Sequence, residues 1–270
     1  MPPMATLSTA AYRPRWGLGT ALAYLGALTV LVADNWGLYR LGHEHRWAGA
    51  FLSIGLAVAF LVVARILILR GELLAGGLAA LLAATALPWF VAAIEQLDTN
   101  LGLANAFVSF YSPGLLLLHQ PHGTESGWIG LDFVALLVAL WFLVRYRFPL
   151  LAVPAVFAIW FLGQDIAARG TNDVLTGATP GRSAAAAFVV AAVLLGFGLL
   201  LDRWGWRREA LWPHLGAGLS VVQALTVLVT KYNPDAVAGT ALGLGILAVL
   251  LAIGIARSSY GVIGGVLVLV

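Results

Sequence analysis

The feature that most constrains this chain is the length of its apolar blocks. Segments 16–33, 47–69, 73–94, 128–144, 148–167, 184–201, 211–230 and 238–256 each run about 17 residues or more with scarcely a charge. At 1.5 Å rise per residue, a block of about 20 residues forms a helix as long as the hydrocarbon core of a bilayer is thick, about 30 Å. A membrane β-barrel requires short segments of alternating polarity instead. The sequence therefore predicts an all-α polytopic transmembrane bundle, a single domain over 1–270, with lipid bilayer as its solvent.

Composition agrees. Hydrophobic residues make up 61% of the chain and charged residues 10%, against about 25% charged in soluble domains. A soluble core of 270 residues cannot hide that much apolar surface. The net charge is +3, but the basic residues sit scattered at block ends. They form no patch with interleaved aromatics, so nucleic acid is not an expected partner. There are no cysteines, which excludes disulfides, thiolate metal sites and cysteine nucleophiles.

The first block has a basic start, Arg13 and Arg15, and so has ingredients of a secretory signal. Its length, the flanking Trp16 and Trp36, and the lack of a small-x-small site after it favour a retained span with an aromatic belt. The last apolar segment, 260–270, is too short to cross. It reads as an incomplete span of a chain that either stops early or continues in a longer protein. Eight full spans are expected, nine if that segment is completed.

Segment 101–118 contains Asn105, Ser109, Ser112 and Pro113, and its role follows from charge. Short cytoplasmic loops are enriched in Lys and Arg. If 101–118 crosses, the basic residues divide almost evenly between the two sides. If it does not, Arg13, Arg15, Arg65, Arg70, Arg145, Arg147, Arg203, Arg207, Arg208 and Arg257 lie inside. Arg40, Arg46, Arg169, Arg182 and Lys231 lie outside. We take the second arrangement, ten against five, with a cytoplasmic N-terminus. Residues 95–127 then form one long outer loop, interfacial or re-entrant in part. Nine of the twelve acids fall on the outer side in this arrangement, although acids were not used to choose it.

Ionisable groups at membrane depth are expensive and mark functional sites by default. Four polar residues stand out as transport or ion candidates. Asp132 and Asp165 lie at the outer ends of neighbouring spans, where they either face each other as a proton or cation site or cap helix ends near water. Gln223 lies near the middle of a span, where an amide more often bonds a neighbouring helix. Arg65 lies about one turn inside the second span and can snorkel to the inner interface. Pro88 and Pro154 are candidate kinks in such a path. Gly239 and Gly243 form a GxxxG pair that predicts close helix packing, within the bundle or between copies, and so self-association or other membrane subunits as partners.

His43, His45, His119 and His122 fall on the outer face with carboxylates nearby. Loop histidines are most simply solvated, and a divalent metal held by these four is the weaker alternative. No other cofactor is expected. His214, beside Pro213 at a span's start, is the nearest approach to a haem ligand but reads as interfacial. Lys231 sits before a turn, which argues against a retinal linkage. Enzyme motifs such as GxSxG, HExxH or a Walker loop are absent.

Three stretches resemble a known family: LAYLGALTVLVADNW at 22–36, RYRFPLLAVPAVFAIWFLGQDIA at 145–167, and LLLDRWGWRRE at 199–209 followed by LWPHLGAGL. Together they are similar to a family of bacterial polytopic inner-membrane proteins filed as domain of unknown function 2157. This chain has Asp34-Asn35-Trp36 where the family more often has Ala-Asn-Trp, and its outer loop at 103–127 is longer. The resemblance implies a multi-pass bacterial inner-membrane protein and assigns no catalytic residue. The leading functional expectation is a non-enzymatic accessory or assembly subunit. The first alternative is a small-solute or ion transporter or channel using Asp132, Asp165 and Gln223. The second is a membrane enzyme with the outer His and carboxylate groups as a metal site.

Overall fold

In the computed structural model the described residues are 18–95, 126–168 and 180–231, and among them all regular structure is helical. The elements are α1 (Leu18–Glu44), α2 (Arg46–Leu69), α3 (Leu73–Ala86), α4 (Trp89–Glu95), α5 (Ser126–Tyr146), a 3₁₀ turn (Pro149–Leu151), α6 (Ala152–Ala168), α7 (Pro180–Arg203) and α8 (Leu211–Lys231). Six segments are long and apolar enough to cross a membrane: Leu18–Leu38, Arg46–Leu69, Leu73–Ile94, Ile129–Tyr146, Pro149–Ala167 and Gly181–Arg203. They coincide with the first six apolar blocks, and α8, 21 residues long, coincides with the seventh. Segments 101–118, 238–256 and 260–270, with Gly239 and Gly243, lie outside the described residues.

The first helix is longer than its apolar block. It continues past Trp36 to Glu44, so His43 is helical and His45 alone separates α1 from α2. These two are junction residues of a helical corner and not members of an open loop.

Two tight turns end in a glycine whose φ is unfavourable to other residues. Gly71 has φ 84° and Gly205 has φ 79°. At the first, Glu72 N–H donates to the Leu67 carbonyl and Gly71 N–H to that of Ile68; at the second, Trp206 N–H donates to Leu201 and Gly205 N–H to Asp202. This double bond pattern closes a helix with a left-handed residue just past its end. Arg147, with φ 48°, does the same for α5, its N–H bonding the Leu143 carbonyl.

The chain divides into two compact units. Among the described residues, one comprises 18–95 together with Val134–Ala155; the other comprises 126–133, 156–168 and 180–231. In the first unit, small residues let backbones meet. A Cβ on Gly49 would fall 2.4 Å from the Gly42 Cα, and one on Gly77 would fall 2.5 Å from the Phe148 ring. Leu38, Ala57 and Ala86 form a buried cluster with Leu87 and Trp89 against it. The Asn35 side-chain oxygen, Oδ1, accepts a short hydrogen bond from the Trp89 indole. Lipid offers apolar side chains no penalty, so helix association relies on such close packing and on hydrogen bonds.

The break between α3 and α4 follows from Pro88, which has no N–H to give and clashes with the preceding turn. Phe90 N–H donates to Leu87 instead of reaching Ala86. Ser53 of α2, fully buried, supplies the missing donor, its hydroxyl lying 2.7 Å from the Ala86 carbonyl. A helix can be interrupted at membrane depth only where a neighbour satisfies the freed backbone in this way. Pro154, by contrast, falls in the first turn of α6, where a proline costs little.

In the second unit α6, α7 and α8 pack closely. A Cβ on Gly163 would strike Val190 at 2.2 Å, and one on Gly216 would meet Val156 at 2.5 Å and Leu194 at 3.1 Å. Trp160, Val190, Leu194 and Ala217 form its main buried cluster. Ala184, Ala187 and Ala224 form a second one.

Candidate functional site: a buried carboxyl pair with amide neighbours

The turn between α5 and α6 is short, so residues equally distant from it arrive at the same level of the hairpin. Asp132 and Asp165 are almost equidistant from Phe148, and their carboxyl groups come within hydrogen-bonding contact. Both are buried, at 5% and 1% exposure. They do not cap helix ends near water, the competing expectation. One oxygen of Asp132, Oδ2, is buried without a hydrogen-bond partner.

The face of α6 one position from Asp165 carries a second polar group. Trp160 and Gln164 are one turn apart and so point the same way. The Trp160 indole donates to Gln223 Oε1 of α8 at 2.7 Å. The Ser183 hydroxyl of α7 donates to Gln164 Oε1 at 3.2 Å. Gln164 and Gln223 are each 2% exposed, and neither Nε2 has a hydrogen-bond partner. Buried polar groups almost always find partners, so Asp132 Oδ2 and two amide donors in one unit form an unusual concentration.

A further polar pair, one member buried and one half-buried, lies at the other end of α7. His214 Nε2 is 2.8 Å from Asp202 Oδ2. The His214 side chain, in the first turn of α8, is fully buried, and Asp202 is 15% exposed. The ring fits because residue 198 is glycine: a Cβ there would stand 2.5 Å from the imidazole Cε1 and Nδ1. Glu209, in the turn between α7 and α8, is also buried.

Of the other sequence candidates, Arg65 on α2 and His45 are exposed. The side chains of His43, His119 and His122 lie outside the described residues. Among the described residues no three His, Cys, Asp or Glu side chains gather to hold a metal. Sequence reading missed Trp160, Gln164 with Ser183, and Asp202 with His214. The signal for the last pair was available. Asp202 and His214 bracket the Gly205 turn of a helical hairpin, as Asp132 and Asp165 bracket Phe148.

No family model, no curated protein and no solved structure matches this chain.

Proposed function

We propose that this chain is a multi-pass membrane protein that moves a proton or a small cation, with Asp132 and Asp165 as the site that takes it up and releases it. The observation that carries the reading is the burial of two carboxyl groups in contact inside an apolar helical body. Two ionised carboxylates held together away from water repel strongly, and a proton or cation between them removes the repulsion. A fold built only for packing gains nothing from such a pair, since apolar residues of similar volume are often as stable. Gln164 and Gln223 are buried in the same unit, and the proposed path runs past them.

The proposal includes eight spans, nine with segment 260–270 completed, and a cytoplasmic N-terminus, from the distribution of arginines. The bacterial inner membrane as its location rests on the resemblance of three stretches to the domain of unknown function 2157 family.

The test is flux in vesicles reconstituted with the full chain. The wild type should dissipate an imposed proton or cation gradient, and Asp132→Asn and Asp165→Asn should each lower the rate at least tenfold. Flux equal to that of empty vesicles, or unaltered by both substitutions, rejects the proposal.

A second reading, a non-enzymatic accessory or assembly subunit, has its own support. Trp47, Phe51, Ile54, Val58, Val62 and Ile66 make an exposed apolar face along α2, suited to lipid or to another membrane helix. That reading predicts an inert protein in vesicles. The outer metal-site enzyme has no comparable support among the described residues.

A further inference from the structure

Resting on the reading of Asp132 and Asp165 as an ion site, we infer that its ion is a proton and not a metal cation, because its two buried carboxyl groups stand in direct hydrogen-bonding contact, the arrangement that shares one proton. A hard metal cation recruits six or more oxygen ligands, from carboxylates, carbonyls, amide oxygens and water. Two aspartates supply four oxygens at most. Gln164 and Gln223 are buried amides of the same unit, and the oxygen of each already accepts one hydrogen bond, which leaves it a single lone pair. An indole N–H only donates, so Trp160 takes Gln223 Oε1, 2.7 Å away. Ser183 takes Gln164 Oε1. The NH₂ group of each glutamine is buried and without a partner. The positive end of an amide dipole repels a cation.

A proton makes no such demand. It needs one oxygen to carry it and one to accept, and the contact between the two carboxyl groups offers that pair. The uptake step is the binding of one H⁺ to one carboxylate oxygen, with the second carboxylate accepting the hydrogen bond. No other bond is made or broken. At the start of α7, beside Ser183, Arg182 is exposed. The contact between Asp132 and Asp165 is what holds the proton.

Infrared spectroscopy of the purified full chain in lipid nanodiscs tests this independently of transport. A protonated carboxyl group has a C=O stretch well separated from carboxylate bands. At neutral pH the wild type should show that band, unchanged when potassium is replaced by sodium or calcium, and lost in Asp132→Asn and in Asp165→Asn. Asp165→Glu, which keeps the acid, should shift the band without deleting it, and this variant covers the case in which an asparagine variant does not fold. Absence of the band, or its loss on adding sodium or calcium, overturns the inference. A wild type with the band but no flux in vesicles refutes only the transport reading. Sodium-driven flux without the band refutes only the proton.

Discussion

His214 Nε2 and Asp202 Oδ2 stand 2.8 Å apart across the turn that joins α7 to α8, and Gly198 supplies the space in which the imidazole lies. The pair ties the end of one helix to the start of the next. Removing one member of such a pair strands the other in poor solvent. His214→Ala should therefore cost about 2–4 kcal/mol, read as the shift in denaturant-induced unfolding in mixed micelles. Gly198→Ala should cost about 1–3 kcal/mol, because the buried ring cannot retreat from a new methyl group. Losses under about 0.5 kcal/mol for both would show that the pair has no structural role.

Ser53 donates to the Ala86 carbonyl released by Pro88. Ser53→Ala leaves that carbonyl buried without its donor and should destabilise by about 1–2 kcal/mol. If the break at Pro88 is the reason, Pro88→Ala should restore the helical bond and shrink the Ser53→Ala penalty. An equal penalty in both backgrounds contradicts the explanation.

Trp160 and Gln223 link α6 to α8 through one hydrogen bond. A cycle of Trp160→Phe, Gln223→Leu and the double variant should give a coupling energy of about 0.6–1.7 kcal/mol, the range for interhelical bonds in membranes. Additive single effects mean the two groups are only neighbours.

Gly71 closes α2 with φ 84°, a conformation that costs a residue with a Cβ about 1 kcal/mol. Gly71→Ala should lower stability by roughly that amount, whereas Gly26→Ala should not, since φ there is ordinary and a Cβ would meet nothing within 4 Å. Equal effects at the two sites would show that the turn geometry is not the cause.

The absence of cysteine makes sidedness directly measurable. Single cysteines replacing Arg70, Thr124, Arg147 and Arg208 should react with an impermeant outside reagent at Thr124 only. Labelling at position 147 from outside would mean that 101–118 crosses the membrane.

Helix positions were legible because they depend on the local run of apolar residues and on charges at its ends. The first six blocks match the six apolar segments to within a few residues, the main difference being α1, whose helix outlasts its apolar block. Asp132 and Asp165 were legible as alternatives only: their types and depths marked them, but whether they met or faced water depended on the rotation of α5 and α6. Pro213 and a span start marked where His214 lies along the helix but said nothing of its partner. Its burial depends on Gly198, sixteen positions earlier, leaving room on another helix.

Taken alone, the order of residues determined that this chain is a set of bilayer-length helices, since apolarity over about 20 residues leaves a backbone in lipid no other way to satisfy its hydrogen bonds. Which polar side chains come together was decided only by tertiary structure. In lipid almost every face of these helices is equally apolar, so hydrophobicity cannot choose a rotation. Glycine-sized gaps, a proline break and a few hydrogen bonds between distant residues make that choice.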